Sequence, residues 1–351
     1  MRDDFRQAIE EGRRYFGPRL TIMGHHYQED SVIRHADWRG DSLELARRTS
    51  SVESPYIIFC GVYFMAESTA LLARPGQEVH LPEPSAECSM ALMSPPDLLE
   101  KVLGNLAKSG RRVIPLVYIN STLAVKAVVG RHNGATCTSA NAEKMLAWAL
   151  KEGEAVLFLP DKNLGANVAD RLKLPETERC LLDPRDKSGL PPEEAARARL
   201  FLWPGFCAIH TRFKLRQIER VRAEHPAGLK VVVHPECTPE VAAAADAVGS
   251  TSFIIDYVGR LPPGAQVAIG TEINLVERLA AEHRGRVKVM PLVESACTHM
   301  AQTTEERLAA SLAALIRRDK DGRPSKFEVR ITEAWREPAK EALARMFEAC
   351  R

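Results

Sequence analysis

Three cysteines, Cys88, Cys207 and Cys297, each stand a few residues beyond an apolar run, in three stretches of about a hundred residues that read as variants of one another. The first stretch runs LTIMGHHYQ, then YIIFCGVYFMAE, then EVHLPEPSAEC, which ends at Cys88. The second answers with VIPLVYIN, VLFLPDKNLG and LFLWPGFC, ending at Cys207, and the third with LKVVVHPEC, QVAIGTEINL and VKVMPLVESAC, ending at Cys297. Each predicts strand, polar pair, helix, strand, polar turn, helix, strand, cysteine. One unit written three times, with a metal-binding residue type at the same place in each, implies a single metal site assembled from three repeats.

The chain has 351 residues, enough for two or three small domains with their own cores. Runs such as IIFC, VLFL, VVV and VAI are continuously apolar and separated by helical segments, which predicts buried parallel strands in an α/β fold. The repeats set expected boundaries at residues 1–97, 98–212 and 213–303. The middle repeat is lengthened by an insert at about residues 166–198, whose proline and charge content predicts a surface excursion with one helix starting at PPEEAARAR. Two amphipathic helices follow in residues 304–351, expected to pack back on the first or third repeat and grouped here with the first.

Net charge is +2, and no Lys/Arg run carries interleaved aromatics, so nothing points to nucleic acid. The opening MRDDFRQAIEEGRRYFGPRL has charges at helical spacing and no long apolar core, unlike a signal peptide or membrane anchor. A cytoplasmic protein is expected, and eight cysteines with no Cys-x-x-Cys pair fit a reducing compartment. The absence of that pair also argues against a zinc ribbon, a thioredoxin-like redox site and a ferredoxin-type ligand run.

In open parallel sheets ligands bind beyond the carboxyl ends of the strands, and the polar residues of this chain gather there. His25 and Tyr27 follow TIMG, Tyr118 and Asn120 close PLVYIN, and His234 and Glu236 follow KVVV. About twenty residues past each first strand comes a small hydroxyl motif, with Ser42, then Thr138 and Ser139, then Ser250 and Thr251. Hydroxyls at strand-to-helix turns cradle carboxylate or phosphate, so an anionic substrate is expected. Walker and dinucleotide glycine loops are missing, which leaves no indication of bound ATP or NAD.

With HHYQ, GVYFMAE, LPEPSAECSMA, YIN, CTSANA, LPDKNLG, WPGFCAIH, HPEC, GSTS, GTEINL and CTHM, nearly the whole chain resembles the quinolinate synthase family, iron-sulfur enzymes of de novo NAD biosynthesis. The resemblance implies three homologous three-layer α/β domains with short parallel sheets, in a pseudo-threefold arrangement around a central active site. It implies that Cys88, Cys207 and Cys297 bind a 4Fe–4S cluster whose fourth iron stays open to substrate. The implied reaction is a transferase-type condensation of iminoaspartate with dihydroxyacetone phosphate to quinolinate, with an aspartate-oxidising enzyme as a functional link for iminoaspartate supply.

By the same motifs, His25, Ser42, Tyr118, Asn120, Ser139, His210, His234, Glu236, Ser250 and Thr251 would bind substrate, and Tyr27, His234 and Glu236 would move protons. Enteric members of the family carry a Cys-x-x-Cys near the last ligand; here Glu294 stands three before Cys297, so no redox switch of that kind is expected. Cys60, Cys137 and Cys237 read as small buried hydrophobes, and Cys180 and Cys350 as incidental, without burial expected. Ser250 and Thr251 also fit helix capping, a role compatible with anion binding. Two rival readings are a different cluster-dependent hydroxy-acid dehydratase and a non-catalytic iron-sulfur sensor; matched sets of polar residues in all three repeats favour catalysis.

Overall fold

The computed structural model describes residues 2–185, 192–226 and 228–351, and the apolar runs form three separate sheets in which named strands pair only in parallel. The first sheet contains β1 (Leu20–His25), β2 (Trp38–Gly40), β3 (Tyr56–Cys60) and β4 (Glu78–His80), in the order β2-β1-β3-β4. The second contains β5 (Val113–Tyr118), β6 (Ala135–Cys137), β7 (Ala155–Leu159), β8 (Arg179–Leu181) and β9 (Leu200–Leu202), ordered β6-β5-β7-β9-β8. The third contains β10 (Lys230–Val233), β11 (Ala247–Val248), β12 (Gln266–Gly270) and β13 (Lys288–Pro291), ordered β11-β10-β12-β13. All three begin with one winding, in which the chain lays down an inner strand, steps to one side and returns to the other side. The first and third sheets then continue outward, whereas in the second the edge strand β8 is laid down before β9 pairs between it and β7. This α/β arrangement makes a switch point between the first and third strands of each repeat, where helices leave in opposite directions and a crevice opens.

Three apolar clusters sit under these sheets. Ile22 and Ile58 pack with Ile9, Phe16, Leu308, Leu312 and Leu315. Val117, Leu157 and Phe201 pack with Leu99, Val125 and Trp203, and Val231, Val233 and Ala268 with Phe213, Ile218 and Leu292. The burial of consecutive strand residues is what parallel strands covered on both faces require.

The insert contributes more than a surface excursion. Arg179–Leu181 forms β8, which pairs in parallel with β9 and extends the second sheet to a fifth strand, and this buries Cys180 at 2% exposure. A helix does begin at the expected prolines, Pro192–Arg197; residues 186–191 of the insert lie outside the described residues. The two C-terminal helices part company. Glu305–Asp321 lies along the first helix, Arg2–Phe16, whereas Glu333–Ala349 lies on the helix Leu123–Arg131 and on β6 of the second repeat, instead of on the first or third. Its small buried face, Ala339, Ala342 and Leu343, suits a close approach, and Gly130 meets it there.

The chain divides into two compact units. One comprises Met1–Cys88, Glu272–Glu282 and Glu294–Ile331; the other comprises Ser89–Thr271, His283–Val293 and Thr332–Arg351. The division cuts the third repeat, leaving its sheet in the second unit and the helix Ile273–Glu282 and Cys297 in the first. Arg278 explains the placement of that helix: it reaches the Asp30 carboxylate at 2.7 Å and donates to the carbonyls of His26 and Gln28 at 2.8 and 2.6 Å. No helix among the described residues is long and apolar enough to cross a membrane.

Candidate functional site

The inner strand of each repeat ends at the expected polar pair. In the first unit, His25 closes β1, its Nδ1 accepts the backbone N–H of Tyr27 at 3.1 Å, and the two rings meet edge to face at 4.8 Å. The third repeat uses the same device after β10, where His234 Nδ1 accepts the backbone N–H of Glu236 at 3.4 Å. An imidazole that accepts at Nδ1 carries its proton on Nε2 and presents that N–H outward. The repeat therefore fixes a tautomer as well as a position. Tyr118 closes β5, and the buried Oδ1 of Asn120 beyond it has no hydrogen-bond partner among the described residues.

Within the second unit Glu236 is the hub. His210 Nδ1 lies 2.6 Å from its Oε2, Tyr118 hydrogen-bonds to its carboxylate, and the His210 and His234 rings stack at 4.4 Å. Thr271 stands 3.3 Å from the far nitrogen of His210, which fixes the ring from both ends. Burial works to raise the Glu236 pKa, but the two histidines and the bonds from His210 and Tyr118 overcome it and hold the carboxyl below its usual range. His234 moves the other way for an imidazole: burial, reinforced by the neighbouring His210, lowers it to about 3, so the 3.6 Å approach of its Nδ1 to Glu236 is not an ion pair. The product is a buried anion beside a neutral imidazole. Cys207, His210 and Glu236 also offer sulfur, nitrogen and oxygen within 4.8 Å of one another, a donor set able to hold a metal ion.

The third strand of each repeat ends at a helix whose start is tied to the cysteine loop. The first helical N–H donates to the carbonyl two residues before the cysteine in all three: Tyr63 to Ala86 at 2.8 Å, Lys162 to Gly205 at 2.9 Å and Ile273 to Ser295 at 3.1 Å. A short 3-10 turn then follows each cysteine, at Met90–Leu92, His210–Arg212 and Met300–Gln302. Cys88, Cys207 and Cys297 are thus presented by one local frame. They are half-buried, while Cys60, Cys137, Cys180 and Cys237 are buried, and burial alone pushes the Cys60 thiol up to about 12. A thiolate ligand needs access and a fixed backbone, and the three repeat cysteines have both. Their donor chemistry and matched frames fit an iron-sulfur group.

The hydroxyl residues all follow the outer strand next to the inner one. Ser42 opens the helix Ser42–Thr49, whose cap is Asp41; Ser250 caps the helix Thr251–Arg260, accepting from Phe253 N–H at 3.3 Å, and Thr251 is its first residue. Ser139 stands half-buried in the turn after β6. Ser250 thus caps its helix, as the motif allows.

Two residues escaped the sequence reading. Asp161 and Glu272 both cap the helix after a third strand, at equivalent places in LPDKNLG and GTEINL, and both are buried. Their signal was the alignment of those two motifs, masked because the first repeat has Val62 at that place.

Ionisable groups buried together at the carboxyl ends of strands, with ligand-type cysteines on the neighbouring loops, define an α/β enzyme equipped for a metal group. The chain belongs to the quinolinate synthetase A protein family, whose family model matches residues 8–348. It is similar to the quinolinate synthase of Geobacillus kaustophilus (strain HTA426), with 48% identity over 270 residues, 76% of this chain and 73% of that protein. The quinolinate synthase of Acidobacterium capsulatum is 41% identical over 350 residues, 97% of this chain and 92% of the relative. That of Bacillus velezensis is 42% identical over 337 residues, covering 95% and 90%.

Proposed function

We propose that this protein is a quinolinate synthase of NAD biosynthesis, condensing iminoaspartate with dihydroxyacetone phosphate to quinolinate, phosphate and two waters. The observation that carries the reading is the common frame in which three repeats present Cys88, Cys207 and Cys297. A 4Fe–4S cluster on these thiolates supplies a Lewis-acidic iron with an open position.

The protein's own groups then divide the remaining work. Glu236, kept anionic by His210 and Tyr118, is the general base for protons of the condensing carbon or nitrogen. Tyr118 and His210 return protons along the same hydrogen bonds. Neutral His234 and His25 donate through Nε2 to substrate oxygens without adding charge, and Tyr27 beside His25 serves proton transfer in the first repeat. Ser42, Ser139, Ser250 and Thr251, at helix starts or the turn before one, bind carboxylate or phosphate. Asn120 takes a substrate N–H or O–H on its unpaired oxygen.

The test is quinolinate formation by protein purified and reconstituted without oxygen, given dihydroxyacetone phosphate and iminoaspartate generated in the reaction, beside Cys207→Ala. Product from the first and none from the second is expected. Absence of product from protein with a confirmed cluster would overturn the assignment.

A further inference from the structure

The geometry points to Asp161 and Glu272 as a matched pair of positioning residues that hold the backbone of Cys207 and Cys297. This rests on the reading of those cysteines as cluster ligands. The two acids occupy one place in the repeat: the cap between the third strand and its following helix. Glu272 accepts the backbone N–H of Asn274 on one oxygen at 2.9 Å and that of Cys297 on the other at 3.4 Å, and the Asn274 side-chain amide braces this second oxygen at 3.1 Å. Asp161 accepts the N–H groups of Asn163 and Leu164 at 2.8 and 3.0 Å, with the backbone N–H of Cys207 as a further donor. Each carboxyl group therefore joins a helix start to the amide of the ligand cysteine, and both residues are buried at 0% exposure.

An ordinary helix cap does not need this. A capping side chain works at the surface and is worth about 1 kcal/mol, whereas a fully buried carboxyl group is costly to desolvate unless hydrogen bonds hold it in place. The same loop is already pinned once, by the hydrogen bond from the first helical N–H to the carbonyl two residues before the cysteine. One such bond leaves the loop able to pivot. A second, from the cysteine's own N–H to the cap, fixes its Cα and hence the direction of its sulfur. In the first repeat Val62 stands at the cap, where its apolar side chain offers no acceptor.

Two measurements on the full chain test this separately from activity. In protein lacking the cluster, labelled with 15N-cysteine and assigned by single Cys→Ser changes, amide hydrogen exchange at Cys297 should quicken at least tenfold in Glu272→Ala and that at Cys207 at least tenfold in Asp161→Ala. Each change should leave the other cysteine and Cys88 unaffected, and Glu272→Gln and Asp161→Asn, which retain an acceptor oxygen, should restore protection. After anaerobic reconstitution, both alanine variants should lose iron to a chelator at least tenfold faster than the parent, with the amide variants close to it. Val62→Ala, a packing change at the equivalent cap, should lower the melting temperature without altering that rate. Unchanged exchange in both alanine variants would overturn the positioning role. Altered exchange with cluster retention equal to the parent would overturn its relevance to the ligands. Failure of the parent to load iron and sulfide would remove the cluster reading and this inference with it.

Discussion

At the residue scale the sequence showed which side chains end the strands but not how they are charged. His234 in HPEC is legible as a site residue because it repeats His25; its neutrality is not, since that depends on burial and on the ring of His210 stacked from another loop. The consequence is a specific acid sensitivity. Burial, with His210, lowers the folded-state pKa of His234 to about 3, while an unfolded histidine titrates near 6.5. Below pH 6.5 the unfolded chain takes up a proton that the folded chain refuses. The stability associated with the neutral ring is complete above 6.5 and is lost as pH falls toward 3, by about 2 kcal/mol at pH 5. Glu236, depressed below its usual range, adds a loss of the same sign at lower pH, because the unfolded carboxyl protonates first. Thermal melts of the parent and His234→Gln from pH 7.5 to 5 check this: the variant should lose part of the acid slope, and identical slopes would show that the ring takes up its proton in the fold as readily as in the unfolded chain.

At the element scale, strands that carry an apolar run were readable and short pieces without one were not. Nine segments fell into place from pattern alone, one triplet per repeat, including the edge strands β4 and β13. β8 was hidden because Arg-Cys-Leu is three residues long, flanked by charge and proline, and becomes a strand only by pairing with β9. The landing place of the last helix was hidden for a similar reason: amphipathicity says that a face is buried, not against what. Its partner is marked by one glycine. A Cβ at Gly130 would collide with the backbone carbonyl of Pro338, and Arg345 from the same helix donates to the carbonyls of Gly130 and Gly134 at 3.3 and 2.7 Å. Gly130→Ala must push the two helices apart or bend one of them. The expected cost is about 1–3 kcal/mol, as for other overpacked interiors, read as a lower midpoint in denaturant. A variant as stable as the parent would mean that the helix Glu333–Ala349 does not rest there.

At the scale of the whole molecule, repeats in the sequence and compact units in space follow different boundaries. The chain passes between the two units after residues 88, 271, 282, 293 and 331, so neither is a continuous segment. The reason lies in what the first sheet needs. Ile9, Phe16, Leu20, Ile22 and Ile58 form one cluster with Leu308, Leu312 and Leu315, which arrive almost three hundred residues later in the helix Glu305–Asp321. Asp319 at the end of that helix accepts from Arg19 at 2.9 Å, from the Tyr15 hydroxyl at 2.9 Å and from the Tyr56 hydroxyl at 2.8 Å, tying it to the first helix and to β3. A fragment of residues 1–97, the first repeat as the sequence bounds it, would expose this apolar face to water and leave those hydroxyls without the acceptor. Four short strands with half a core should not hold together, since small domains retain little margin once a covering layer is lost. The fragment alone should give a collapsed, poorly dispersed amide spectrum and no cooperative melt. Joining residues 294–331 to it through a flexible linker should restore dispersion and a thermal transition. A cooperative melt from the bare fragment would show that the first repeat closes its own core and that the late helix is an addition to a finished domain.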